Sequence, residues 1–338
     1  MDILQSDRLL YSILIAVIIM VGGAALFYYM KALQHPAEIQ QADAGEKQDL
    51  HFVLIPQETE NDYWRLIEEG ARQAEQELGV AVEYNGPKKT SITEHIEWIE
   101  KGIASKVDGI ITQGLQESAF TPVLNKAVRM GIPVVTIDTD APSSERAAYV
   151  GTDNYEAGFM AGKALIEDTG GTANVGIITG SFEARNMKLR VQGFRDAVQE
   201  ESGVAIMDIK SSEITRIQAA EKTEQLLNEY PEIDAFFGTS ALDGFGIAST
   251  VQQRARTNST YIITFDSLPE TVKLIREGVI DATVAQQPYE MGYESVHLMK
   301  DLAEGRTVDA VQHTTVHIVR RKDLPVSESL LLPKGGTR

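Results

Sequence analysis

Seven residues carry side chains suited to recognising hydroxyl groups and fall at related places in the chain: Asn61, Tyr63, Trp64, Asp138, Ser240, Asp266 and Gln286. Asn61, Asp138, Ser240, Asp266 and Gln286 stand at or just beyond the C-terminal ends of short apolar, β-rich runs, and Tyr63 and Trp64 stand beside Asn61. In open α/β sheets ligands bind outside the carboxyl ends of the strands. Carboxylates accept hydroxyl protons, amides donate and accept, and aromatic rings cover C–H surface, so the set suits a neutral polyol. Each residue also has a plainer reading. Asp138 and Asp266 could cap helices, Tyr63 and Trp64 could be first-turn core, and Gln286 could be a strand-end surface residue. Five coincident strand ends favour the ligand reading.

Other chemistries find little support. The chain has no cysteine, which removes disulfides, thiolate metal sites and cysteine nucleophiles. Neither G-x-G-x-x-G nor G-x-x-x-x-G-K-[ST] occurs, and the first apolar run ends in Pro56-Gln57-Glu58-Thr59-Glu60, whose acids repel phosphate. Gly238-Thr239-Ser240-Ala241-Leu242 begins like a nucleophile elbow but lacks its final glycine. Ile137-Asp138-Thr139-Asp140 resembles an aspartyl-phosphate loop, yet Pro142 stands where that loop needs Thr or Val. His313 and His317, read as one strand, lie roughly 13 Å apart at about 3.3 Å per residue, too far to share a metal. No cofactor or metal is expected. The 31 basic and 49 acidic residues give a net charge of −18, which a nucleic-acid backbone would repel.

These residues need a scaffold, and the pattern supplies one. Strand-like runs at 51–56, 80–84, 108–112 and 132–137 alternate with helical periodicity over 62–78, 92–105 and 119–130. The alternation resumes with runs at 173–179, 204–209, 233–238, 259–265 and 280–286. Near-continuous apolar strands separated by helices predict parallel sheets covered on both faces, and the break near residues 150–153 predicts two lobes of similar size.

Ahead of this lies an uncharged run of 22 residues, 9–30, between Arg8 and Lys31. At about 1.5 Å per residue a helix of that length spans roughly 33 Å, enough for a bilayer core. An uncleaved single-pass anchor over 1–30 is expected, a cleaved signal peptide being the rival. Residues 31–49 then form a polar linker, and the soluble part lies outside the cytoplasm.

Several segments resemble the type I periplasmic binding proteins, and among them the ribose-binding-protein-like sugar binders. Asn61-Asp62-Tyr63-Trp64 looks like the family's Asn-x-aromatic-aromatic, and Ile132-Pro133-Val134-Val135-Thr136-Ile137-Asp138 like its fourth strand and ligand aspartate. Tyr149-Val150-Gly151-Thr152-Asp153-Asn154 resembles the first crossing between lobes. Arg190-Val191-Gln192-Gly193-Phe194, Thr264-Phe265-Asp266 and residues 282–288 (ATVAQQP) match further family segments. The likeness covers about residues 50–322. It implies two doubly wound parallel-sheet lobes joined by three crossings: 50–152 with 287–315, and 153–286 with 316–338. It implies a monosaccharide ligand, pentose-like by the same resemblance, and no catalysis, with an enzyme acting on a sugar as the rival. The family's sugar-binding arginine is placed on Lys188, its asparagine on Ser240, and its later aromatic on Ile214 with Thr215 beside it. Where the ribose binder has Asp-Arg, this chain has Asp138-Thr139 and lacks that bidentate clamp. An anchored domain favours a fixed neighbour: a membrane sensor such as a histidine kinase is expected, with an ABC importer permease as the alternative.

Overall fold

The computed structural model describes residues 50–324, together with Met20 and Gly22. The expected anchor over 1–30, the linker over 31–49 and the tail from 325 otherwise lie outside the described residues. Among the described residues no helix is long and apolar enough to cross a membrane.

The first half runs β1 (His51–Ile55), α1 (Asp62–Leu78), β2 (Ala81–Tyr84), α2 (Ile92–Ser105), β3 (Gly109–Thr112), α3 (Glu117–Arg129), β4 (Val134–Ile137) and β5 (Ala148–Thr152). The second runs α4 (Asn154–Thr169), β6 (Ala173–Thr179), α5 (Arg185–Val198), β7 (Val204–Ser211), α6 (Arg216–Glu229), β8 (Ala235–Gly238), α7 (Ala241–Gln253), β9 (Tyr261–Phe265), α8 (Pro269–Glu277) and β10 (Ala282–Ala285). Helix α9 (Pro288–Ala303) and strands β11 (Val311–Thr314) and β12 (His317–Arg320) complete the order.

Two six-stranded sheets result, ordered β11-β5-β4-β3-β1-β2 and β12-β10-β9-β8-β6-β7. The strand order is the same in both: β1 to β5 of the first correspond to β6 to β10 of the second. All pairs are parallel except β10 with β12. Strands β3, β4, β5, β8 and β10 are buried along their whole length, as strands covered by helices on both faces must be. The chain passes between the sheets three times: at Thr152–Asn154, at Gln286–Pro288, and between β11 and β12. Helix α9 thereby packs on the first sheet and α4 on the second.

Two strand assignments differ from the sequence reading. Residues 148–152, read there only as a crossing, form a fully buried strand, whose five residues AYVGT are too short for periodicity to reveal. His313 and His317, expected on one strand, lie on β11 and β12 in different sheets, because the third crossing falls between them. His313 instead stands 3.7 Å from Asp153 and edge-on to Tyr149. No group of three or more potential metal ligands occurs among the described residues.

Candidate functional site

The C-terminal ends of both sheets meet at one cavity with about 550 Å³ of empty space, the open solvent at its mouth included. Asp138, just after β4, and Asp266, just after β9, enter it from opposite lobes and are nearly fully buried. Asp138 Oδ1 accepts the Tyr63 hydroxyl at 2.8 Å. Its Oδ2 accepts Gln113 Nε2 at 2.6 Å and Thr139 Oγ1 at 2.9 Å, and Asn186 Nδ2 of the other lobe lies at 3.5 Å. Asp266 Oδ1 accepts Gln286 Nε2 at 2.7 Å, and its Oδ2 accepts the Ala241 amide at 3.3 Å. Burial pushes the Asp266 carboxyl up, Arg190 and the Gln286 amide pull it down, and Asp138 pushes it up again. Burial, with Asp138 and Asp266 nearby, also raises the Tyr63 phenol well above its ordinary value, so it stays protonated and donating.

Arg190 is the cation of the cavity and is itself buried. Its Nε donates to Asn154 Oδ1, one terminal nitrogen to the Thr239 carbonyl and the other to Gln286 Oε1, each at 2.8 Å. The guanidinium lies 4.0 Å over the Phe265 ring. Three of its five N–H groups are thus committed, which fixes the plane and leaves two for a ligand. Its backbone is set by the packing of α4 on α5. A Cβ on Gly158 would stand 2.0 Å from the Arg190 carbonyl oxygen, and one on Gly193 2.0 Å from that of Tyr155, so only glycine admits this contact.

Gln286 joins these parts. Its Oε1 also accepts the Thr152 hydroxyl at 2.7 Å. Thr152 and Gln286 belong to different crossings, so the ligand cavity is hydrogen-bonded directly to the segments that join the lobes. Chemically, the site offers two carboxylates as acceptors, one fixed guanidinium, amides of both senses, and the apolar surface of Trp64, Met187, Ile214, Leu242 and Leu268. It suits a small hydroxylated ligand with one apolar face.

The sequence pattern of the periplasmic binding protein domain matches residues 52–307. The chain belongs to the periplasmic binding protein family. It is 55% identical to GanP, a glucose-galactose binding protein from Geobacillus stearothermophilus, over 82% of this chain and 100% of that one, with a TM-score of 0.81. It is 37% identical to a chain of the XylFII-LytSN complex, over 82% of this chain and 99% of that one, with a TM-score of 0.77. The D-ribose/D-allose-binding protein of Pseudomonas aeruginosa is 25% identical, over 84% of this chain and 92% of its own length. These relatives are named as sugar-binding proteins or solved in a complex, and none is named as an enzyme.

Within this two-lobed family fold, Asn61, Tyr63, Trp64, Asp138, Ser240, Asp266 and Gln286 all line the one cavity. Two of them are also helix caps. Asn61 Oδ1 accepts the Tyr63 amide at 2.8 Å, and Ser240 Oγ accepts the Asp243 amide at 3.2 Å while donating to its carboxylate at 2.8 Å. Tyr63 and Trp64, edge to face at 5.9 Å, belong equally to the core beneath.

Lys188 and Thr215 are not brought in. Lys188 lies two residues from Arg190 on α5, about 200° around the helix at about 100° per residue, and faces outward toward Glu183 at 3.8 Å. Arg190, the arginine of the same R-x-x-G-F segment, takes the cavity position instead. Thr215 is exposed and caps α6, accepting the Gln218 amide at 3.2 Å, while its neighbour Ile214 reaches the cavity. The sequence reading also missed Asn186 and Met187. The signal was available: Asn186, Met187, Arg190 and Phe194 share one helical face.

Proposed function

We propose that this protein binds one neutral monosaccharide between its lobes, leaves it chemically unchanged, and presents the closed form to a membrane partner. The observation that carries the reading is the pair of buried carboxylates, Asp138 and Asp266, brought from opposite lobes to one cavity beside an immobilised Arg190. Two acceptors on separate lobes can each take a hydroxyl of one ligand only when the lobes come together, so recognition becomes shape change. Net negative charge in the cavity disfavours sugar phosphates and uronic acids.

Among monosaccharides we place hexoses of the glucose–galactose kind ahead of the pentose-like sugar expected from sequence. The support is the 55% identity to a glucose-galactose binding protein. The test is thermal unfolding against a panel of aldohexoses and aldopentoses, with mass spectrometry of the recovered sugar. A cognate sugar at a hundred times its Kd should stabilise the domain by about 2.7 kcal/mol. A converted sugar would overturn the reading.

The sensor partner, the anchor over residues 9–30 and a place outside the cytoplasm form one proposal. It is supported by the uncharged 22-residue run and by the 37% identity to a chain solved in the XylFII-LytSN complex. Delivery to an ABC permease is the second reading, supported by ribose import binding proteins 22–24% identical to this chain. Deleting the gene separates them. Lost sugar-dependent transcription, with uptake intact from a constitutively expressed transporter, supports sensing; lost uptake with transcription intact supports import.

A further inference from the structure

Asp138 and Asp266 share a backbone feature. Both adopt positive φ, +61° and +68°, where the Cβ of an L residue crowds the following carbonyl oxygen. Four other non-glycine residues among the described ones do so, Lys106, Glu213, Ile214 and Ala255, but only the two aspartates occupy equivalent places in the two sheets. Strain of this kind persists where the surroundings over-determine it.

Two restraints are common to both lobes, and Asp138 has a third, the Thr139 amide donating across it to the Ile137 carbonyl at 2.6 Å. The Asp138 amide donates to the Val150 carbonyl of β5 at 3.0 Å, and the Asp266 amide donates to the Val284 carbonyl of β10 at 2.9 Å. The residue just before each acceptor then supplies a side-chain hydroxyl to the aspartate's own carbonyl. Tyr149 reaches Asp138 O at 2.9 Å, and Thr283 reaches Asp266 O at 2.8 Å. Tyr149 and Thr283 hold matching registers, opposite Thr136 and Thr264 on the preceding strands. Both are buried. A tyrosine and a threonine, different in size, thus place one hydroxyl at the same point of two sheets.

We propose that Tyr149 and Thr283 are paired positioning residues, whose hydroxyls hold the peptides of Asp138 and Asp266 in the positive-φ conformation that aims both carboxylates at the ligand. The Tyr149 hydroxyl is also 3.1 Å from the carbonyl of Thr152 in the first crossing, so one proton is shared between the ligand aspartate and the crossing. Without the hydroxyl, the carbonyl loses its buried partner and the peptide can rotate out of the strained region, taking the carboxylate with it.

This separates positioning from mere support. A hydroxyl that only stabilises the fold would, when removed, lower the melting temperature and leave affinity alone. A hydroxyl that holds strain does the reverse, because release of the strain offsets the lost bond. The inference rests on the sugar-binding reading above. The variants are Thr283→Val, Thr283→Ser and Tyr149→Phe, each assayed by calorimetry with the sugar that stabilises the wild type, and by sugar-free thermal unfolding. The expected result is affinity lowered on the order of tenfold in Thr283→Val and Tyr149→Phe, recovered in Thr283→Ser, with sugar-free melting close to wild type. Unchanged affinity, or a loss matched by lowered melting, overturns the proposal. If the wild type binds no sugar of the panel, the sugar reading fails, and a sugar-free crystal structure of Thr283→Val still decides: Asp266 should leave positive φ, and its retention near +68° overturns the proposal.

Discussion

Asp266 illustrates how a buried carboxylate lining a cavity works against its own fold. Burial raises its carboxyl despite Arg190 and Gln286, so the folded protein holds that proton more tightly than the unfolded chain does. Stability from this group is therefore greatest in acid and falls as pH rises above the ordinary carboxylate value of 3.8. Asp266→Asn should leave the empty protein at least as stable at pH 7, since asparagine tolerates the positive φ. The same change should lower sugar affinity by about 1.5–3 kcal/mol through loss of a charged acceptor. Unfolding at pH 5 and pH 7, with calorimetry, checks both signs; a variant that melts lower at pH 7 and binds normally contradicts both. Strand-end logic made Asp138, Asp266 and Gln286 legible in the sequence, because each follows an apolar run directly. Arg190 was less direct: it sits mid-helix, where the motif gives the turn and the face follows only from the helical spacing it shares with Asn186, Met187 and Phe194.

Helices and strands were more legible than their contacts. The periodicity over 62–78 and 92–105 coincides with α1 and α2, since each has one apolar face and a side-chain cap at its start, Asn61 and Ser91. Helix α5 was recognisable by motif, yet what fixes it is the glycine seam with α4. Gly193→Ala should cost about 1–3 kcal/mol of stability, because a methyl group 2.0 Å from the Tyr155 carbonyl forces the helices apart. Sugar affinity should fall with it as Arg190 is displaced, and unfolding with and without sugar reads both. The start of α7 carries a different signature. Burial pushes fully buried Asp243 up to about 6, opposed by the hydroxyls of Ser212, Ser240 and Thr239. Stability from this group declines as pH rises from about 4 to about 6 and stays low above, a deficit on the order of 3 kcal/mol. Asp243→Asn should flatten that part of the pH–stability curve, and an unchanged curve would remove Asp243 as its source.

At the scale of the whole molecule, repetition of one strand order in two sheets makes the cavity a meeting of equivalents, β4 with β9 and β5 with β10. The alternation of strands and helices announced two lobes, and the family resemblance put the third crossing near residues 315–316, between β11 and β12, although the short polar segment around it reads by itself as one strand. The crossings couple to the cavity through Thr152 Oγ1, which donates to the same Gln286 oxygen that holds Arg190. A sugar that recruits Asp138 from one lobe and Asp266 from the other stabilises the closed form by its differential affinity, and only that difference can shift the population. Small-angle scattering should therefore record a smaller radius of gyration with the cognate sugar than without it. Thr152→Val keeps the shape of the side chain and removes the direct tie between crossings, leaving the one that runs through Asn154, Arg190 and Gln286. The hydrogen bond is neutral and buried, so its loss should weaken sugar binding by about 1 kcal/mol. Because Thr152 does not line the cavity, that loss should come from closure. Scattering with saturating sugar should then show a wider spread of shapes than the wild type under the same conditions. A variant as compact as wild type when saturated, with unchanged affinity, would show that the crossings move independently of the Thr152–Gln286 bond.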